Sequence, residues 1–187
     1  MKSVDRQPIA IYGAGGFGLE VAMLIEQINA VRPQWEIIGF FDDGIEIGTQ
    51  INDWQVLGGL KELNRWDKPL SVTFALGIPK VKRKVIEEIS NHRIEYPVLI
   101  HPSAILGSPK YLQIGAGCII CAGCIITTNI RIGRHVILNL ACTVGHESVV
   151  GDYSSFMPTC NVSGEVTIGE ASFWGTGAKI IHRKRVG

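Results

Sequence analysis

The second half of this 187-residue sequence carries an apolar residue at every sixth position. Counting from Ile114, each sixth residue as far as Val186 is hydrophobic, which gives thirteen consecutive matches. Since 46% of the chain is hydrophobic, chance would produce such a run with a probability on the order of 10⁻⁴ or less. Pairs such as Ile132-Gly133 and Val150-Gly151 also recur every eighteen residues. The pattern predicts a left-handed parallel β-helix in which three hexads form one coil.

Each hexad is expected to be a short strand and a turn, with its first residue pointing into a triangular prism and with glycines relaxing the corners. The fifth residue of a hexad also points inward and should be small. Cys, Ser or Ala stands at eight of these positions: Cys118, Cys124, Cys142, Ser148, Ser154, Cys160, Ser172 and Ala178. Ile130, Val136 and Val166 are larger residues at the same position.

The register also bears on a possible metal site. The spacing of Cys118, Cys121 and Cys124 suggests metal ligands, but the first and third point inward and Cys121 lies on another face. We therefore expect these thiols to pack in the prism, without a metal and without disulfides, as in a reducing cytosol.

The first half has a different organisation, in which strands alternate with helices and a parallel sheet is expected. The predicted strands cover 9–12, 36–41, 71–76 and 96–100, and the predicted helices cover 19–28 and 81–90. The sequence thus predicts an α/β Rossmann-like domain over residues 1–101 and the β-helix over 102–187.

A glycine-rich loop, Gly13-Ala-Gly-Gly-Phe-Gly18, joins the first strand to the first helix. Glycines there permit a tight turn and close approach of a phosphate to the helix N-terminus. One interpretation is NAD binding, with Asp42 as the acid that contacts ribose. Against it, about a hundred residues are too few for two mononucleotide-binding halves, so a sugar nucleotide is favoured and a bare structural turn stays open.

Composition excludes several functional classes. The formal net charge is +1, and the basic run His182–Arg185 is expected to be solvated, so no nucleic-acid partner is predicted. No apolar run approaches the ~20 residues of a membrane span, and no N-terminal signal is visible. We expect a cytoplasmic protein.

Four segments together resemble a known family: Ile11-Tyr-Gly-Ala-Gly-Gly-Phe-Gly18, Phe40-Phe-Asp-Asp43, His101-Pro-Ser-Ala104 and Ile137-Leu-Asn-Leu-Ala-Cys-Thr-Val-Gly-His-Glu147. They are similar to the bacterial sugar acetyltransferases, which include sialic acid O-acetyltransferases and N-acetyltransferases of UDP-4-amino-sugars. The resemblance covers essentially the whole chain. It implies a homotrimer that holds a sugar or UDP-sugar on the N-terminal domain and acetyl-CoA between neighbouring prisms.

The resemblance also implies site residues. The substrate would be bound by Gly15, Gly16, Phe17, Asp42, Asp43 and Gly77, and acetyl-CoA by Ser155, Gly164 and Thr176. Members that act on UDP-amino-sugars often have His where this chain has Phe17 and Asn where it has Ile78. The Phe17 form is closer to the sialic acid O-acyltransferases.

His146 is the candidate general base, because an imidazole with an ordinary pKa near ~6.5 accepts a proton at neutral pH. It occupies the third hexad position, which need not point inward, and an ordinary surface histidine is the alternative. Glu147 beside it would favour the imidazolium form. The family's Val-Gly-His-Glu context assigns these two residues to catalysis, whereas His135 and His182 are expected to be solvated, His182 with a possible contact to CoA.

Relatives usually continue with further coils where this chain stops at Val186-Gly187. We therefore expect either a truncated prism with impaired acetyl-CoA binding, or an end protected by trimer contacts. Three functions follow: a sugar acetyltransferase in surface-glycan precursor synthesis, a nucleotide-sugar-binding module that has lost its acyl donor, and an NAD-dependent oxidoreductase. The sequence leaves N- and O-acetylation open.

Overall fold

The computed structural model describes residues 6–187, which divide into two compact units. The first unit runs to Leu76 and includes Val81–Pro97, whereas the second contains Gly77–Lys80 and Val98–Gly187. The first has α/β secondary structure and the second is built of short strands. The predicted fold class is therefore confirmed.

The first unit is a mostly parallel sheet with helices in its connections. Its strands are β1 (Gln7–Tyr12), β2 (Trp35–Phe41), β3 (Gln50–Ile51), β4 (Trp54–Gly58), β5 (Leu70–Phe74) and β6 (Ile94–Glu95). Its helices are α1 (Gly16–Val31), α2 (Leu60–Asn64) and α3 (Pro79–Glu87), and the first two residues of α3 are grouped with the second unit. The strand order is β3-β4-β2-β1-β5-β6, and only the β3–β4 pair is antiparallel. The carboxyl ends of β2, β1 and β5 therefore lie side by side.

The prediction of one continuous strand over 96–100 is wrong. The chain forms β6 two residues earlier, and Leu99–Ile100 pairs instead with Ile119–Ile120 in the second unit. Pro97 stands between the two segments and cannot donate a ladder hydrogen bond, which explains the break. The sequence does not predict β3, β4 or α2, because elements of two to five residues are too short to show a period.

The second unit is a prism of fifteen short strands in three parallel five-stranded sheets. The first face contains Leu99–Ile100, Ile119–Ile120, Ile137–Leu138, Ser155–Phe156 and Phe173–Trp174. The second face contains Ile105–Leu106, Ile125–Ile126, Thr143–Val144, Asn161–Val162 and Lys179–Ile180. The third face contains Leu112–Ile114, Ile130–Ile132, Val149–Val150, Thr167–Ile168 and Arg185–Val186, and a 3₁₀ turn over Pro109–Tyr111 precedes it.

From Leu112 onwards, successive coils of the prism are in register at eighteen residues, as in the pairing of Ile119 with Ile137. The strands 99–100 and 105–106 of the first coil pair at a spacing of twenty. The first residue of each hexad points inward as predicted, and Ile120, Leu138 and Phe156 are fully buried. Towards the last coil this burial decreases, and Val186 in the final strand is 42% exposed. The prism core is thus a stack of aliphatic layers with Phe156 and Trp174 in contact near its end.

From Cys118 to Val166 the fifth residue of each hexad is also buried, and where that residue is polar its side chain makes the same hydrogen bond. In six hexads the thiol or hydroxyl donates to the carbonyl oxygen fifteen residues later, at 3.0–3.2 Å. The donors are Cys118, Cys124, Cys142, Ser148, Ser154 and Cys160. Burial raises the pKa of Cys160, so its thiol stays protonated and able to donate. These side chains satisfy corner carbonyls that the strand ladders leave without a partner.

The corners depend on backbone conformation more than on glycine. Twelve consecutive fourth positions, from Gly117 to Arg183, have φ between +51° and +74°, and nine of them are not glycine. Glycines at the second position have another role, because a Cβ at Gly145 would stand 2.7 Å from the amide nitrogen of Gly164 in the next coil. The expectation that glycines relax the corners is therefore corrected: the second-position glycines permit close stacking of coils.

His135 is a further correction, since it is buried rather than solvated. Its side chain is 4% exposed, and its ring stacks on that of Tyr153 with centroids 5.7 Å apart. A Cβ at Gly117, one coil earlier, would clash with the His135 ring. Stacking between successive corners, which a hexad count does not reveal, removes this histidine from water.

Candidate active site

The four glycines of the loop at the carboxyl end of β1 have two different roles: two permit close packing, and two leave the backbone open. Gly13 has φ +101°, and a Cβ there would lie 2.9 Å from the carbonyl oxygen of Ala75. A Cβ on Gly18 would clash with the Gly13 carbonyl oxygen. Around Gly15 and Gly16, by contrast, no atom lies within 4 Å of such a Cβ. The backbone at the start of α1 is therefore open to a ligand, as a phosphate-binding loop requires.

Asp42, after β2, fixes the loop in place. Its Oδ2 accepts a 2.9 Å hydrogen bond from the amide of Ala14, and its Oδ1 accepts one of 2.8 Å from Gly44. Both oxygens thus hold backbone, so any contact with a nucleoside would use their remaining lone pairs.

Asp43 lies beside a buried tyrosine. Tyr12 donates from its hydroxyl to Asp43 Oδ2 at 2.5 Å, and Leu60 donates from its amide to Oδ1 at 2.8 Å. Burial, together with the Asp43 carboxylate, raises the pKa of Tyr12 well above its ordinary range. Tyr12 therefore remains a hydrogen-bond donor. A cavity of about 180 Å³ opens here, lined by Tyr12, Asp42, Asp43, Gly44, Leu76, Val81 and Val85.

Two other expected substrate residues are placed differently. Phe17 is half-buried in the first turn of α1, next to the open glycines. Gly77 belongs to the short segment Gly77–Lys80 that groups with the second unit. Leu76, the residue before it, lines the cavity.

His146 projects from the corner between the second and third faces of the prism. Its Nδ1 lies 3.1 Å from Glu147 Oε2, and the two side chains are 57% and 56% exposed. Glu147 has φ +59°, and its amide donates to the Thr128 carbonyl one coil earlier at 3.1 Å. If Nδ1 carries the proton that Glu147 accepts, Nε2 is left as the basic atom of the ring.

Gly164 lies one coil beyond His146, against the imidazole. A Cβ at Gly164 would stand 2.5 Å from His146 Nε2, so only glycine leaves room for the ring in this position. The amide of Glu165 donates to the His146 carbonyl at 2.8 Å, which fixes the two coils together. Within residues 6–187 the Gly164 amide donates to no carbonyl or side chain, although the residue itself is buried.

Beyond His146 and Glu147, the next two coils of the same corner carry an ion pair that the sequence analysis did not predict. Arg183 contacts both carboxylate oxygens of Glu165 through Nε, at 3.0 and 3.1 Å. That hydrogen bond lowers the pKa of Glu165, with smaller contributions from His146 and His182. The signal was present in the sequence as charged residues at an eighteen-residue spacing, Glu147, Glu165 and Arg183.

The remaining expected acetyl-CoA residues are not gathered at this corner. Ser155 lies on the first face and is fully buried, whereas Thr176 is exposed at the corner between the first and second faces. His182 is exposed in the His146 column, two coils further on.

Among the residues that the structure describes, no cluster of His, Cys, Asp and Glu could hold a metal ion. Over the same part of the chain, every helix is too short or too polar to cross a membrane.

Comparison with known proteins connects both regions to one family. Residues 8–89 match the family described as the PglD N-terminal domain. GDP-perosamine N-acetyltransferase of Escherichia coli O157:H7 is 30% identical over 171 residues, which cover 91% of this chain and 76% of that protein. This chain belongs to the bacterial sugar acetyltransferases. It is accordingly an acyltransferase, as its motifs predict.

Solved structures agree with the fold of this acetyltransferase. The acetyltransferase domain of PglB from Neisseria gonorrhoeae FA1090 has a TM-score of 0.85 and 30% identity, and the match covers 97% of this chain and 86% of that one. A structure of that domain in complex with acetyl coenzyme A matches with a TM-score of 0.61 and 25% identity, covering 97% of both chains.

Proposed function

We propose that this protein transfers the acetyl group of acetyl-CoA to the amino group of a nucleotide-activated amino sugar. The observation that carries the proposal is the His146 corner, where Nδ1 is paired with Glu147 and Nε2 lies over Gly164. The relative from Escherichia coli is named as an N-acetyltransferase of a GDP-sugar, which supports an amine acceptor over a hydroxyl. The open glycines at the start of α1 suit the phosphates of such a substrate.

His146 acts as the general base in this proposal. The amine nitrogen attacks the thioester carbonyl carbon, and Nε2 of His146 takes the proton that the nitrogen loses. When the tetrahedral intermediate collapses, the C–S bond breaks and the proton passes to the sulfur of CoA. Glu147 holds the tautomer and stabilises the imidazolium while it exists. The amide of Gly164, which makes no hydrogen bond within residues 6–187, is a candidate donor to the thioester oxygen.

We also infer a homotrimer, with acetyl-CoA between neighbouring prisms. Ile105 and Ile125 support it, because they are neighbouring outward residues of the second face and are 61% and 37% exposed. Ser155, Gly164 and Thr176 lie on different faces and corners of one prism, which suits a ligand that contacts two copies. Static light scattering tests the oligomer, and a monomer for both the wild type and Ile125→Asp would contradict it.

The proposal places the enzyme in the cytoplasm, in the synthesis of surface-glycan precursors. In support of this, all five cysteines are free and buried, which suits a reducing compartment.

The direct test is to incubate the protein with acetyl-CoA and a panel of GDP- and UDP-linked amino sugars, following free thiol. We expect thiol release with an amino-sugar nucleotide and a product whose acetyl group resists hydroxylamine, as an amide does and an ester does not. Sialic acids and the corresponding hydroxyl sugars complete the panel. Transfer only to a hydroxyl would replace N- by O-acetylation. Nucleotide binding without CoA binding or thiol release would indicate a binding module and contradict the proposal.

A further inference from the structure

The corner between the second and third faces of the prism carries a column of charged residues. Glu147, Glu165 and Arg183 occupy the fourth hexad position of three successive coils. Glu147 contacts His146 Nδ1, whereas Glu165 and Arg183 pair with each other. We propose that Arg183 is a positioning residue, which holds the Glu165 carboxylate away from His146 Nε2 and keeps that atom free for the acceptor amine. This role rests on the proposed function.

Glu165 lies within reach of the imidazole. A Cβ on Gly164, the residue before it, would stand 2.5 Å from His146 Nε2, and the Glu165 amide donates to the His146 carbonyl at 2.8 Å. The Glu165 side chain is 39% exposed, so it has room to turn. Without a partner, a carboxylate at this position would attract the imidazolium form of the ring and accept a hydrogen bond from Nε2. A ring nitrogen that donates to Glu165 cannot take a proton from an amine.

Arg183 holds the carboxylate on the side away from the ring. Its Nε lies 3.0 and 3.1 Å from the two carboxylate oxygens of Glu165, and its amide donates to the Gly164 carbonyl at 3.2 Å. The hydrogen bond from Arg183 lowers the pKa of Glu165, so the carboxylate remains charged and paired. Within residues 6–187, no hydrogen bond or ion pair joins Glu165 to His146.

The charges around the imidazole are balanced by Arg183. Glu147 belongs to the coil of His146, Glu165 to the next coil, and Arg183 to the coil after that. The coil before His146 contributes only uncharged residues to this corner, Thr128 and Asn129. In the part of the chain that the structure describes, the other titratable residues of this corner are Lys110, Tyr111 and His182, each two coils from His146. Without Arg183, two carboxylates would flank the imidazole, and both would favour its protonated form.

A second ion pair of the prism differs from this one in how its carboxylate is held. Arg134 pairs with Asp152 across one coil at 2.9 Å, but Asp152 Oδ1 also accepts a 2.8 Å hydrogen bond from the Arg134 amide. That backbone bond would hold Asp152 even without the guanidinium. Over residues 6–187, by contrast, the Glu165 carboxylate accepts hydrogen bonds from Arg183 alone. The position of Glu165 therefore depends on one side chain.

The test compares the wild type with Arg183→Gln, Glu165→Gln, the double variant and Arg183→Lys. The pH titration of the His146 ring, followed by NMR, should have a higher midpoint in Arg183→Gln and return to the wild-type midpoint in the double variant. At about pH 6.5 and low ionic strength, kcat of Arg183→Gln should fall roughly 3-fold, and the loss should disappear at about pH 9, where the ring is neutral in every variant. Glu165→Gln should keep the wild-type kcat. Arg183→Lys should recover most of the loss, because it keeps the charge.

Arg134→Gln is the matched control, because it removes an exposed guanidinium from an ion pair of the same kind at another corner. Its kcat and its His146 titration should equal those of the wild type. Equal His146 midpoints in the wild type and Arg183→Gln, or a double variant as impaired as Arg183→Gln, would overturn the inference.

An ion pair that only stabilises the prism would give a different result. Glu165→Gln and Arg183→Gln would then be impaired equally at every pH, and this outcome would also contradict the inference. The NMR titration needs no acceptor, so it decides the matter even where no sugar is acetylated and the proposed function itself fails. Unchanged circular dichroism and melting temperature confirm that the variants are folded.

Discussion

The glycine loop and the His146 corner use their polar groups in opposite ways. Around the loop, Asp42 and Asp43 use all four carboxylate oxygens on backbone amides and on Tyr12, and the open part is bare backbone at Gly15 and Gly16. At the corner, the backbone is held by the stack of coils, and His146 and Glu147 project into solvent. The first region offers fixed amides for recognition, and the second offers a titratable side chain for chemistry.

The comparison predicts that one side chain carries the chemistry. Replacing His146 with Gln should lower kcat by about 10³-fold, within the range for loss of a general base, and leave the melting temperature unchanged because the side chain is exposed. Thiol release from acetyl-CoA measures it. His92→Gln, an exposed histidine of the first unit, is the control. Retention of more than a tenth of the activity in His146→Gln would exclude general base catalysis by this residue.

In the first unit, backbone geometry should matter more than any side chain. Gly18→Ala places a methyl against the Gly13 carbonyl and should cost about 2–4 kcal/mol in the free energy of unfolding. Gly16→Ala meets open space, so its stability should match the wild type while GDP or UDP binding weakens. Chemical denaturation and nucleotide titration separate the two effects. Equal stability of both variants would contradict the assignment of Gly18 to close packing.

Gly164→Ala tests whether the corner depends on the position of the imidazole. The new methyl would lie 2.5 Å from His146 Nε2, so the ring must rotate away, and kcat should fall about 10–100-fold. Gly175→Ala, which has no atom within 4 Å, is the matched control on the same prism. Should kcat stay at the wild-type value in Gly164→Ala, the ring is not held where the structure places it.

Glu147→Gln should have a smaller effect than either change at the ring. An exposed carboxylate contributes less to the imidazolium than a buried one, so we expect kcat to fall about 3–10-fold with stability unchanged. Glu165→Gln serves as the comparison, because that carboxylate is paired with Arg183 rather than with His146. A larger loss in Glu165→Gln than in Glu147→Gln would reverse their roles.

The smallest expected effect concerns the prism interior. Cys142→Ser keeps a donor for the Met157 carbonyl, whereas Cys142→Ala removes the hydrogen bond and should cost about 1 kcal/mol more. The free energy of unfolding by denaturant measures the difference. If Ala is tolerated better than Ser, the thiol contributes by its apolar surface alone.

The sequence predicts the prism well because each inward residue repeats with a strict period. Ile120, Leu138 and Phe156 differ in size but share one register, and their burial follows from it. The corner conformation could not be predicted, because the fourth positions hold residues as different as Asn129, His135 and Ala141. Backbone hydrogen bonds between coils hold φ positive at these positions, and such bonds cannot be recognised from the residue types.

The candidate site was predictable where it depends on local sequence. The pair His146 and Glu147 is adjacent in the chain, so their contact follows from the motif. The bond between Tyr12 and Asp43 joins residues from two strands, and the contact of Gly164 with the imidazole joins two coils. Such contacts depend on strand order and stacking, which a single sequence specifies only after the fold is known.

The run of twelve left-handed corners has a consequence for how this protein can change. Residues other than proline accept that conformation at a cost of roughly 1–2 kcal/mol, and the stack holds side chains as different as Asn129, His135 and Ala141 in it. Residues at the edges of the prism can therefore be exchanged during evolution without altering the path of the chain. New acceptors could arise by substitution at corners such as Asn129 or Glu165, while the buried columns continue to specify the same scaffold.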